Sequence, residues 1–108
     1  MDKHANEKIM KEIRNFVSKA NIKFKLYEVI LFGSRARGDF MIHSDVDIIL
    51  VSKSFEKLKF SDRINEIIGY WQGDVDLEVI CYTPREFEIK KKQIGIIRKA
   101  VSEGIKIK

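Results

Sequence analysis

Cysteine, proline and long apolar runs are almost missing from this chain. Cys81 is the only cysteine among 108 residues, so no intrachain disulfide can form and a disulfide-stapled secreted domain is excluded. Its apolar surroundings make it a small buried hydrophobe. Pro84 is the only proline. No proline-, glycine- or serine-rich linker, repeat or low-complexity segment divides the chain, which reads as one domain over residues 1–108. No run of about 18 apolar residues offers a membrane span. The opening MDKHANEKIM lacks the apolar stretch of a signal peptide, so a cytoplasmic protein is expected. Phe24 is the one aromatic that stands between lysines of the clusters Lys90-Lys91-Lys92 and Lys19, Lys23 and Lys25. A stacking platform for nucleic acid is therefore not expected.

What is present is charge and core-forming residues. Apolar residues make up 44% of the chain and charged residues 34%, with a formal net charge of +5. That is enough apolar content for a core, and the basic excess favours polyanionic partners such as nucleotides or an acidic protein face. Hydrophobic periodicity predicts a helix over 4–20, with Ile9, Ile13, Phe16, Val17 and Ala20 on one stripe, Asp2 or Asn6 as its cap and Asn21 at its end. Strands are predicted over Lys25–Phe32, Asp45–Val51 and Asp74–Tyr82. A helix over Ser54–Tyr70 would bury Ile64, Ile67, Ile68 and Trp71, with Ser61 as a possible cap. Thr83-Pro84-Arg85-Glu86 is a capping box with proline at the first helical position. The helix it starts reaches Glu103, with a break near Gly95, and Gly104 stops it. Ile105 and Ile107 suit a short last strand. Tyr27 and Tyr82 read as packing residues, His4 as solvated and His43 as an exposed loop residue.

The chemistry lies in LFGSRARGDFMIHSDVDIILV, residues 31–51. Aspartate is depleted in strands, yet Asp45-Val46-Asp47 opens one. Residues two apart share a face, so Asp45 and Asp47 project together, opposite Val46, Ile48 and Leu50. Asp74, Asp76 and Glu78 share a face of the third strand in the same way. If the two strands are neighbours, three or more acids converge, which is unfavourable unless cations join them. Mg²⁺ binds through one or two carboxylates plus substrate phosphates. The preceding turn, Gly33-Ser34-Arg35-Ala36-Arg37-Gly38, suits the phosphates. Gly33 allows close backbone approach, Ser34 offers its N–H and hydroxyl, and Arg35 and Arg37 add donors. Strand parity leaves the third carboxylate open between Glu78 and Asp76.

Gly33-Ser34, ten residues, then Asp45-Val46-Asp47 resembles the signature of the DNA polymerase beta-like nucleotidyltransferase superfamily. GSRARG followed by SDVD is similar, more narrowly, to the minimal nucleotidyltransferases, and VICYTPREFE resembles the stretch around their third catalytic strand. The resemblance implies a small mixed α/β sheet with helices packed mainly on one face. It implies that Gly33 and Ser34 contact a nucleoside triphosphate, ATP above all, and that Asp45, Asp47 and Glu78 hold two Mg²⁺ ions, with Asp76 as the fallback for Glu78. Glutamate at 78 departs from the family's usual aspartate and moves the carboxylate outward by one methylene. The resemblance further implies transfer of AMP to a hydroxyl, such as a tyrosine of a helical HEPN-type partner in a toxin–antitoxin pair. A homo-oligomer is a further possibility. The alternative is a non-catalytic module that binds nucleotide or partner.

Overall fold

A computed structural model of the chain describes residues 3–41 and 43–108, with side chains described from Asn6 onward. Helix α1 spans Lys3–Phe24, longer than the periodicity predicts. Asn6 lies inside it and does not cap it, while Asp2 and the side chain of His4 fall outside what is described. Its stripe of Ile9, Ile13, Phe16, Val17, Ala20 and Phe24 is buried. Asn21 acts from within the last turn: its backbone carbonyl accepts the Lys25 N–H and its Oδ1 accepts the Leu26 N–H. The helix ends as Lys25 takes φ +43, a left-handed conformation.

Among the described residues four strands follow: β1 (Glu28–Phe32), β2 (Val46–Val51), β3 (Leu77–Tyr82) and β4 (Ile105–Lys106). Between the first two, α2 (Ser34–Arg37) is a single turn. The sheet order is β3-β2-β1-β4. β2 runs antiparallel to β1 and parallel to β3, and β4 runs antiparallel to β1. The sheet is thus mixed.

Side-chain alternation splits the core in two. Val46, Ile48 and Leu50 join Val29, Leu31, Leu77, Val79 and Cys81 in the larger cluster, beneath α1, a 3-10 turn (Lys53–Lys57) and α3 (Phe60–Ile68). Ile49 and Val51 join Ile30, Phe32 and Tyr82 in the smaller cluster on the other face. It is covered by Phe87 of α4 (Pro84–Lys92) and by Ile97 and Ala100 of α5 (Ile96–Glu103). Most of the helical mass lies on the first face, as the resemblance implied. The short pair α4 and α5 leaves part of the second face open, and the carboxylates lie there. Burial pushes the Cys81 thiol up to about 12, so it stays an inert core group.

The helix predicted over Ser54–Tyr70 is two pieces. The Ser52 hydroxyl accepts the Ser54 N–H, and the Leu58 N–H closes on the Phe55 carbonyl, which ends a tight turn. Extended backbone at Leu58 and Lys59 then starts α3 with Lys59, not Ser61, at the N-cap. Ile68, expected in the buried stripe, is 44% exposed; of that stripe only Ile67 is fully buried. Trp71 keeps its expected core role: it meets Phe16 edge-on and donates its indole N–H to the Val75 carbonyl. Asp74 lies before the strand rather than in it, paired with Lys8 at the surface. Tyr27 is 70% exposed and is no packing residue, whereas Tyr82 is buried against Phe60.

The capping box forms as predicted. Thr83 Oγ1 accepts the Glu86 N–H, and Glu86 Oε1 accepts the Thr83 N–H. Gly95, at φ +155, separates α4 from α5. Among the described residues no helix is long and apolar enough to cross a membrane.

Candidate active site

Asp47 is the geometric centre of the acid face. Its Cα is paired with Phe32 on β1 and with Glu78 on β3. Parallel register therefore sets Asp47 and Glu78 side by side on adjacent strands, about 4.8 Å apart in the pairing direction. Gly33 follows Phe32 directly, with φ +74 and ψ −156, a region essentially reserved for glycine. A Cβ placed on Gly33 would lie 2.3 Å from Asp47 Oδ2. The glycine is thus needed twice, for its backbone conformation and for the space its missing side chain leaves at the carboxylate.

We expect Gly33→Ala to lose 1–3 kcal/mol of stability, roughly the cost of holding such a backbone conformation, and to displace Asp47. Gly38→Ala is the control. Gly38 also has positive φ (+90), but a Cβ there meets nothing within 4 Å. Denaturant unfolding and MgATP calorimetry on both variants check this. Only Gly33→Ala should lose nucleotide affinity.

α2 makes the turn between the glycines. The Ala36 and Arg37 N–H groups donate to the Gly33 carbonyl, and the Gly38 N–H donates to Ser34. The helical form of this turn corrects one expectation. Residues two apart on a helix point about 200° apart, so Arg35 and Arg37 cannot both face one ligand. Arg37 lines the cleft, where it pairs with Asp39 at 3.3 Å and with Glu103 of α5 at 3.7 Å. Arg35 turns away and is buried, donating through Nε and Nη2 to the Ser44 carbonyl and stacking 4.5 Å over Phe40. Its guanidinium is engaged by the loop that leads into Asp45 and Asp47.

Phe32, Gly33, Arg37, Asp47, Glu78 and Ile80 line the cleft from the sheet side, and Ile96, Lys99, Ala100 and Glu103 line it from α5. Its volume is about 300 Å³. The structure therefore brings Glu78, and not Asp76, to Asp47. Asp76 lies below β3, where its carbonyl accepts the Val46 N–H, and its side chain is exposed. Asp45 precedes β2 and is half-buried outside the cleft lining, close enough for its charge to act on Asp47. His43 is exposed in the loop, as expected.

Asp47 carries the electrostatic signature of the site. Its carboxyl is raised from 3.8 to about 6, first by burial, then by a hydrogen bond with Glu78 and by repulsion from Glu78 and Asp45, against an opposing pull from Arg37. Two carboxyls that hydrogen-bond share a proton; a divalent cation supplies the same attraction without it. Among the described residues no three acidic, histidine or cysteine side chains form a ready-made metal cluster.

Sequence reasoning missed the α5 wall. Ile96, Lys99, Ala100 and Glu103 follow the spacing i, i+3, i+4, i+7 of one helix face. That stripe was legible, but its placement over the acid face depends on the break at Gly95.

A glycine-led turn at a strand end, a carboxylate pair on the two strands beside it and an open face over a mixed sheet define a nucleotidyltransferase-type site. Comparison with known proteins agrees. The sequence profile of the nucleotidyltransferase domain family matches residues 10–107, and the chain belongs to that family. It is 39% identical over 69 residues to MJ0141 of Methanocaldococcus jannaschii, provisionally named a protein adenylyltransferase; the match covers 64% of this chain and 69% of that one. It is 31% identical over 94 residues to MJ1305 of the same organism, named likewise, covering 79% and 63%. The chain thus spans about two thirds of the length of these relatives. A crystal structure of a provisionally named nucleotidyltransferase from Sulfolobus solfataricus superposes with a TM-score of 0.69 at 27% identity. It covers 95% of this chain and 82% of that one.

Proposed function

We propose that the chain transfers AMP from ATP to a hydroxyl group on a protein, with Mg²⁺ as cofactor. The observation that carries this reading is the Asp47–Glu78 pair, in register on adjacent strands and fronted by the bare backbone of Gly33. The names of the M. jannaschii relatives support adenylyl transfer to protein.

The donor set fits magnesium: hard carboxylate oxygens at Asp47 and Glu78, with Asp45 beside them and room left by Gly33. When bound, Mg²⁺ would supply charge neutralisation at the phosphates. The chain's residues do the rest. Gly33 and Ser34 meet the phosphate oxygens with backbone and hydroxyl donors. Arg37 supplies positive charge at the same turn. Glu78 takes the acceptor hydroxyl's proton as that oxygen attacks the α-phosphorus. On the family resemblance, the acceptor is a tyrosine of a HEPN-type helical partner.

A second reading has one observation in its favour: the carboxylate beside Asp47 is Glu78, where the resembled family usually has aspartate. Under it the chain binds nucleotide without transferring it. Glu78→Gln separates the two. Incubation with α-phosphate-labelled ATP, Mg²⁺ and the product of the neighbouring gene should label that product with wild type. Glu78→Gln should abolish labelling while MgATP binding survives. Labelling that Glu78→Gln leaves intact would remove Glu78 from the chemistry.

A further inference from the structure

The α5 wall of the cleft carries an assignment of its own. Ile97 and Ala100 of this helix are buried against β1 and β2, and the small Ala100 lets the helix lie close to the sheet. That docking turns Ile96, Lys99 and Glu103 toward the cleft whose floor is Asp47 and Glu78. Two cations therefore line the cleft, and their situations differ. Arg37 is already engaged by Asp39 and Glu103. Lys99 is exposed and makes no ion pair or side-chain hydrogen bond among the described residues. An acid four residues on, Glu103, is at the spacing of a helical ion pair, yet it reaches across to Arg37 instead. Lys99 is thus an uncommitted ammonium on the wall of a cleft that also holds two carboxylates.

We propose that Lys99 is the cation that receives the β- and γ-phosphates of the bound nucleotide and neutralises the pyrophosphate as it leaves. The inference rests on the nucleotidyl-transfer reading above. In the step, the acceptor oxygen forms a bond to the α-phosphorus and the bond from that phosphorus to the α,β-bridging oxygen breaks. The electron pair stays on the departing pyrophosphate, and the acceptor's proton goes to Glu78. Charge therefore builds on the oxygen that leaves, away from the carboxylates, and a mobile ammonium serves there because it pairs as a point charge with any phosphate oxygen. The division of labour is a turn that grips the phosphates by backbone and a helix that answers the leaving charge.

The test is calorimetry of magnesium pyrophosphate, MgATP and AMP with wild type, Lys99→Met, Lys99→Arg and Asp47→Asn. Lys99 is exposed, so its variants should fold, and circular dichroism melts confirm it. Lys99→Met should weaken both pyrophosphate and MgATP by about tenfold or more, the loss of one charge-assisted contact, and leave AMP unchanged. Lys99→Arg should recover most of that loss. If Lys99→Met binds pyrophosphate as wild type does while Asp47→Asn does not, Lys99 has no such role and the transfer reading stands. Equal weakening of AMP would overturn the assignment too. If wild type binds neither MgATP nor magnesium pyrophosphate, both the assignment and the transfer reading fail.

Discussion

Asp47→Asn should abolish nucleotidyl transfer, by on the order of a thousandfold or more, and at the same time make the nucleotide-free protein more stable at pH 8. The two effects share one cause. Asp47 is held beside Glu78, partly out of water, where the proposed reaction would use two carboxylates together. Its carboxyl rises from 3.8 in the unfolded chain to about 6 in the fold, so the folded state keeps this proton more tightly. The stability linked to it is fully present below about pH 4 and is lost as the pH rises through 6. Two pKa units would be worth about 3 kcal/mol for a fully shielded group; Asp47 is half-buried, and screening reduces this to about 1 kcal/mol. The amide carries no charge at any pH. Melting curves of the two proteins should therefore converge near pH 4 and separate toward pH 8, with the variant higher. A variant that melts lower than wild type at pH 8 would mean that Asp47 serves the fold and not a reaction.

The second large effect is expected far from the cleft. Arg63 is 6% exposed and its guanidinium is engaged. Its Nε donates to the carbonyls of Phe55 and Leu58, and its Nη1 donates to the Cys81 carbonyl and to Glu86 Oε1. One side chain thus ties the 3-10 turn, the outer strand β3 and the capping box of α4. Arg63→Met should cost 3–5 kcal/mol, because it leaves buried carbonyls without a donor and Glu86 without its cation. Glu86 is held below the usual carboxylate range: burial works against this, but Arg63 and the Thr83 N–H outweigh it. Stability linked to Glu86 is present at neutral pH and falls as the medium is acidified through its carboxylate range. The variant should lose that part of its acid sensitivity. Urea unfolding at pH 7 and at pH 4 measures both. A loss under 1 kcal/mol would show that the carbonyls find water instead.

Much of this was legible in local sequence. Gly33, Ser34 and the Asp45-Val46-Asp47 alternation announced a glycine-led turn before an acidic strand, and Thr83-Pro84-Arg85-Glu86 announced a helix start that forms in full. These signals are local: a cap, a parity, a backbone conformation that only glycine adopts. Three-dimensional choices were not legible. Parity puts Asp76 and Glu78 on one face equally; only the parallel register with β2 sets Glu78 beside Asp47. Arg35 and Arg37 look equivalent in a loop and diverge once the loop is a helical turn. The break at Leu58–Lys59 carries no glycine or proline, and it holds because Arg63 takes the carbonyls the break exposes. Lys99 gives no motif, since its place on the cleft wall comes from where Gly95 redirects the chain.

Asp45 and Asp47, joined by Glu78 and fronted by Gly33-Ser34, should bind a nucleotide only together with magnesium. The most direct measurement is calorimetric titration of ATP into the wild-type chain and into Asp45→Asn/Asp47→Asn, each with Mg²⁺ and with excess EDTA. Wild type should bind in the presence of Mg²⁺ and not in EDTA, and the folded double variant should bind under neither condition. Equal affinity in the double variant, or binding by wild type that EDTA leaves unchanged, would contradict it.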